Sequence, residues 1–160
     1  AYFNKFNKTW HHGDYAEIKN SGGFIIYGRS DTTLNPGGVR LGTSEIYSEV
    51  EKFKEIKESL AIGQAWDNDI RIILFVIMNQ NYQINNELIR RIKIQIKTNA
   101  SPRHVPSKII NVTDIPRTKN GKIVELAVKN IIDGIEVKNK EALANPEVLN
   151  EFRNLNELKD

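Results

Sequence analysis

"YGRSDTTLNPGGVRLGTSEIY", residues 27–47, puts two arginines, several turn pivots and a helix start into one short stretch. Pro36-Gly37-Gly38 forbids an α-helix at its centre, since proline lacks the donor and glycine resists the conformation. Thr43 or Ser44 can then cap a helix, with Glu45 in its first turn. Ile46, Val50 and Phe53 follow at i, i+4 and i+7, one apolar face of an amphipathic helix. A turn-rich connector therefore leads into a packed helix, and the flanking sequence decides what that helix belongs to.

Upstream, Tyr15 to Lys19 and Phe24 to Tyr27 are short β-prone stretches around a Ser21-Gly22-Gly23 turn, which predicts a hairpin. Downstream, "IKESLAIGQAW" and "IRIILFVIM" predict two strands joined at Asp67-Asn68-Asp69. The second is apolar without alternation, the pattern of a strand buried on both faces. Asn85 or Asn86 can cap a second helix that turns Leu88, Ile92 and Ile96 inward. "SPRHVPSKIINV" returns to strand, and Val124, Ala127, Val128 and Ile131 mark a third helix. The order helix, strand, strand, helix, strand, helix predicts an α+β domain with a mostly three-stranded sheet, preceded by the hairpin. A tail helix is expected with Asn145 as cap and Pro146 at its first position. Its Val148, Phe152 and Leu155 need a surface to pack on.

The 160 residues carry a net charge of +3, with cations and anions interspersed, so no nucleic-acid-binding stripe stands out. No apolar run approaches the roughly 18 residues of a membrane span. With no cysteine, disulfides and thiol chemistry are excluded, which fits a reducing compartment. The first residue is Ala1, and "AYFNKFNKTW" has neither a signal-peptide pattern nor a tag, so the chain reads as beginning inside something longer.

Few residues carry chemistry. His11 and His12 are adjacent and would point to opposite faces of a strand. His104 is remote, so all three read as surface or structural residues, and no metal site is expected. Asp14 is either a turn residue or a carboxylate accepting both hydrogen bonds of a vicinal diol, with Gly13 permitting close approach. Arg29 and Arg40 are either ordinary loop arginines or planar forks for a phosphate or sugar edge. In "PRTKNGK", residues 116–122, Lys122 is either an exposed tip or a mobile point charge aimed at developing negative charge. No GxxxxGK[ST] or GxGxxG loop is present, so any nucleotide would find most of its phosphate cradle elsewhere.

Taken in order, "WHHGDY", residues 27–47 and "PRTKNGK" resemble the C-terminal end of the adenylate-forming enzymes, which include acyl-CoA synthetases, peptide-synthetase adenylation domains and luciferases. "LNPGGVRLGTSEI" resembles the short-chain acyl-CoA synthetase branch. The closing "KIVELAVKNIIDGIEVKNKEALANPEVLNEF" looks like the extended tail of the acetoacetyl-CoA synthetase group. The resemblance covers nearly all of the chain. It implies residues 1–30 as the last strands of a large adenylation domain, 31–134 as a mobile C-terminal domain, and 135–160 as a helical extension. It also implies ATP with Mg2+ and CoA as substrates, no tightly bound cofactor, the rest of the synthetase as partner, and a cytoplasmic location. Neither nucleic acid nor membrane is implied as a partner.

By motif, the resemblance makes Lys122 the adenylation residue, Asp14 and Arg29 the ribose-side contacts, and Arg40 a phosphate contact. Asp31 becomes the hinge, Gly38 the place where pantetheine passes, and Lys97 (or Arg103) a CoA-phosphate contact. His12 stands where many members have Thr, and Asn120 where many have Ser or Thr. The implied reaction joins acetoacetate to CoA through an acyl-adenylate, with this portion inactive alone. The alternatives are another short-chain synthetase, for acetate or propionate, and a stand-alone binding module of the same fold.

Overall fold

A computed structural model of the chain describes residue 3 and residues 6–160. Strands β1 (Asp14–Ile18) and β2 (Phe24–Arg29) form the expected antiparallel hairpin, closed at Gly22, where φ is +82°. Its register sets Asp14 opposite Arg29, so two residues 15 positions apart in the chain become neighbours.

Pro36–Gly38 makes a single 3-10 turn, broken by the left-handed Gly37, and Leu34 and Leu41 bridge across its base. Helix α1 (Thr43–Val50) follows. Its cap is neither Thr43 nor Ser44 but Gly42, which makes no side-chain cap bond. Ser44 is occupied elsewhere, since its hydroxyl donates to the Tyr27 carbonyl at 3.2 Å. A capping side chain could not fit at 42: a Cβ there would stand 2.2 Å from the Tyr27 oxygen.

Strands β3 (Ile56–Trp66) and β4 (Asp69–Met78) are joined by the two-residue turn Asp67-Asn68, both with positive φ. Asp and Asn tolerate that region, which explains a tight hairpin without glycine. Helix α2 (Asn86–Asn99) is capped by Asn85, whose Oδ1 accepts from the Leu88 amide at 2.8 Å. Strand β5 (Lys108–Asn111) adds parallel to β4, and helix α3 (Glu125–Ile132) completes the domain. The sheet order is β3-β4-β5.

Central strand β4 is buried on both faces, as its unbroken apolar run requires. Ile73, Phe75 and Ile77 face a core shared with α3 and the tail. Ile72, Leu74 and Val76 face a second core shared with α1, α2, Leu34 and Leu41. The tail needs no outside surface: Val148, Leu149 and Phe152 of the 3-10 helix Pro146–Phe152 enter the first core. The Phe152 ring meets Phe75 edge-on, with centroids 4.9 Å apart. Asn145 does not cap this helix through its side chain; the amide is committed elsewhere, as described below. Among the described residues, no helix is long and apolar enough to cross a membrane.

Candidate functional site

The hairpin register gathers the first cluster. The Arg29 guanidinium lies 3.7 Å from the Asp14 carboxylate and 3.4 Å from Asp31, and donates to the His12 carbonyl at 3.1 Å. Asp14 also accepts from His12 Nδ1 at 2.5 Å. Three of the candidates, Asp14, Arg29 and Asp31, therefore form one ion-paired group. Gly13 serves it in a way the sequence did not suggest. Its φ is +94°, and an added Cβ would sit 2.9 Å from the Arg29 guanidinium. The structure shows a close approach of Arg29 that glycine permits.

The second group is the loop around Gly38. Gly37 donates its amide to both oxygens of Asp69, at 2.8 and 3.0 Å, fastening the loop to the β3–β4 turn. These backbone amides, that of Ile70 first and that of Gly37 next, with Arg103 nearby, hold the Asp69 carboxyl below its ordinary range. Gly38 has φ +76° and open space where a side chain would stand. Arg40 is exposed, with no hydrogen bond or ion pair among the described residues. Beside the loop lies a hollow of about 380 Å³, lined by Pro36, Trp66, Asp69, Arg71 and Arg103 among others. Arg71 is already spent: it stacks on Trp66 at 3.7 Å and donates to the Leu158 and Asp160 carbonyls. Arg103 approaches Gly37 closely, within 2.9 Å of where a Cβ would be. Lys97 is an exposed residue in the last turn of α2.

Lys122 stands apart from both groups, on a tight hairpin between β5 and α3. Thr118 donates its amide to the Lys122 carbonyl at 2.8 Å, and its hydroxyl accepts from the Lys122 amide at 3.2 Å. Gly121, at φ +79°, makes the turn. Arg117, at the base, donates to Glu58 on β3 and to the Gly121 carbonyl. The Lys122 side chain is exposed, with no hydrogen bond or ion pair among the described residues.

The sheet separates the Lys122 hairpin from the Gly38 loop. Leu34 and Leu41, at the base of the loop, belong to the core of α1 and α2. Ile115 and Val124, on either side of the hairpin, pack in the core of α3 and the tail. Among the described residues, a side-chain link joins the two halves. Tyr47 of α1 donates to Glu125 of α3 and accepts from the Ala61 amide at 3.0 Å. Burial, then the charge of Glu125, pushes the Tyr47 phenol well above its ordinary range.

The histidines do not converge. His12 is exposed beside Asp14, while His104 is buried between the Ser101 hydroxyl and the Glu45 carboxylate. Among the described residues, no group of three or more His, Asp or Glu side chains could hold a metal ion.

No family model matches the chain. It is 58% identical over 159 residues to the acetoacetyl-coenzyme A synthetase of Rhizobium meliloti (strain 1021), across 99% of this chain and 24% of that protein. Along its whole length the chain is homologous to acetoacetyl-CoA synthetases, and its fold is that of the adenylate-forming enzymes. The acetoacetyl-CoA synthetase of Gallus gallus is 48% identical over 162 residues, again 24% of that protein. The solved acetoacetyl-CoA synthetase from Streptomyces lividans superposes with a TM-score of 0.85 at 37% identity, covering 94% of this chain and 23% of that one. The chain thus spans about a quarter of the length of the acetoacetyl-CoA synthetases it matches, and its fold is that of the C-terminal domain of adenylate-forming enzymes.

Within this fold, four supporting residues make contacts that the sequence did not suggest: Gly42, Asp69, Arg117 and Asn145. Each acts on a partner far away in the chain, so no local spacing marks it. Gly42 alone carried a hint, as a glycine placed where a helix should have its cap.

Proposed function

We propose that this chain is the mobile C-terminal part of an ATP-dependent acid–thiol ligase that makes acetoacetyl-CoA from acetoacetate, MgATP and CoA. The observation that carries the reading is identity to acetoacetyl-CoA synthetases along the whole chain. In the first half-reaction a carboxylate oxygen of acetoacetate attacks the α-phosphorus, and pyrophosphate leaves. In the second, the CoA thiolate attacks the acyl carbonyl, and AMP leaves.

In this reading residues 1–30 close the large domain, 31–134 form the mobile domain, and 135–160 extend it. Asp14 accepts the ribose hydroxyls, and Arg29 holds Asp14 in place. Lys122, untied and exposed, reaches the carboxylate and the α-phosphate as charge builds, where one aimed donor is worth about 10²–10³ in rate. Arg40 takes a nucleotide phosphate, and Gly38 leaves room for pantetheine to pass. Lys97 or Arg103 takes a CoA phosphate; the position of Arg103 beside the Gly37 turn favours it. Turning about Asp31 presents the Lys122 face for adenylation and the Gly38 face for thioester formation, which is gating by domain motion. The lodging of these two elements on opposite faces of one sheet supports that exchange. The proposed compartment is the cytoplasm.

The test is Lys122→Ala in the complete synthetase. Acetoacetate-dependent pyrophosphate exchange should fall at least about 100-fold, while CoA-dependent release of AMP from preformed acetoacetyl-adenylate persists. Equal loss of both half-reactions would remove Lys122 from the role assigned. The chain by itself should show no ligation.

A further inference from the structure

The segment that follows α3 is built into the hairpin that carries Lys122. Ala144 donates its amide to the Arg117 carbonyl at 2.8 Å, Lys119 donates to the Ala142 carbonyl at 3.3 Å, and Thr118 and Leu143 form a β-bridge. The tail therefore lies along the hairpin as a third strand. At its end, Asn145 uses every face of its amide on the segment entering the hairpin. Its Oδ1 accepts from the Arg117 amide at 2.9 Å. Its Nδ2 donates to the Asp114 carboxylate at 2.7 Å and to the Ile115 carbonyl at 3.0 Å. An amide is suited to this post because it offers an acceptor and two donors in one plane.

The path from Asn145 to the lysine is short. Asn145 fixes the Arg117 amide, and Arg117 bridges Ile123 across the hairpin. The next residue, Thr118, holds both the carbonyl and the amide of Lys122. Leu143, buried in the core of α3 and the tail, anchors the added strand. Among the described residues, the tip's remaining side-chain tie is Arg117, whose guanidinium reaches Gly121 at 3.4 Å.

We propose that Asn145 is a positioning residue for Lys122: the tail strand it terminates sets the direction in which the hairpin presents its lysine. The inference rests on the adenylation role assigned to Lys122 above. Misplacement of a reacting group by about 1 Å can cost up to about 100-fold, so loosening the hairpin should weaken adenylation selectively.

The experiment compares Asn145→Ala, the exchange Asp114→Asn with Asn145→Asp, and Lys122→Ala, all in the complete synthetase. Asn145→Ala should slow pyrophosphate exchange about 10- to 100-fold, leaving thioester formation from preformed acetoacetyl-adenylate within about twofold. The exchange restores a donor–acceptor pair between positions 114 and 145 and keeps the acceptor for Arg117, but gives up the donor to the Ile115 carbonyl, so it should recover part of the loss. Hydrogen exchange at the Gly121 and Lys122 amides should quicken in Asn145→Ala and slow again, in part, in the swapped pair. Unchanged pyrophosphate exchange, equal loss of both half-reactions, or unchanged hairpin amides would each overturn the proposal. If Lys122→Ala itself spares adenylation, the functional reading has failed instead, and the amide exchange alone decides whether Asn145 orders the hairpin.

Discussion

Replacing Gly42 by alanine tests the seam between the β1–β2 hairpin and the rest of the fold. The added methyl would stand 2.2 Å from the Tyr27 oxygen, 2.8 Å from Tyr27 Cβ and 2.9 Å from its carbonyl carbon. Real Cβ contacts do not fall below 3.0 Å, so the oxygen is too near by about 0.8 Å, and it belongs to backbone that cannot swing aside. The backbone of Gly42 is ordinary, with φ −86°, so alanine brings no conformational strain of its own. Absorbing the methyl inside a packed seam costs about 1–3 kcal/mol. Parting the seam instead sacrifices the Ser44–Tyr27 hydrogen bond, worth about 0.5–1.5 kcal/mol, together with the local packing of Tyr27. Parting is the cheaper route. A bias of about 1–2 kcal/mol changes the parted population about 5- to 30-fold.

Limited trypsinolysis reads this directly, because Arg40 is exposed in the connector. When opening is fast relative to cleavage, the rate follows the open population. Gly42→Ala should speed cleavage after Arg40 by that factor while the domain's melting temperature holds. Unchanged cleavage with a lowered melting temperature would show that the domain absorbs the methyl, and the reasoning from Gly42 would fail.

The remaining expectations use the same geometry. Phe152→Ala removes a ring that is 1% exposed and packed on Phe75, and should destabilise the domain by about 3–5 kcal/mol in urea unfolding; a loss under about 1 kcal/mol would detach the tail from the core. The folded carboxyl of Asp69 is depressed, so its grip on Gly37 is complete above the ordinary aspartate range and is lost as pH falls through the lowered value. The Gly37 amide resonance should titrate with a midpoint below the ordinary aspartate range, and Asp69→Ala should abolish that step; a titration near neutral pH would contradict it. Lys122→Ala and Asn145→Ala, in the complete synthetase, should both depress pyrophosphate exchange while sparing thioester formation.

Local chemistry made much of this fold legible in advance. The positive-φ turn at Asp67-Asn68, the Asn85 cap and the apolar run of β4 each follow from neighbouring residues, and together they yield the order of elements. The three-stranded sheet could be expected for the same reason. What escaped was set by long-range contact. Ser44 was a good cap by type, but Tyr27, 17 residues away, claimed its hydroxyl. Asn145 preceded a proline as caps do, yet Asp114 and Arg117 took its amide. The candidate site divides the same way. Residue types and order named Asp14, Arg29 and Lys122. Only the hairpin register put Asp14 beside Arg29, and only the packing put Lys122 and Gly38 on opposite faces.

Strand β4, buried on both sides, has a consequence for speed. If the two working surfaces are exchanged by turning the whole domain, neither core loses or gains a neighbour, because the sheet travels as one plank with both surfaces already finished. Friction would then reside in the proposed hinge at Asp31 and in seams such as Gly42 against Tyr27. Substitutions deep in either core should change how long the domain survives and leave its turning rate alone, whereas a single methyl at the seam should do the reverse.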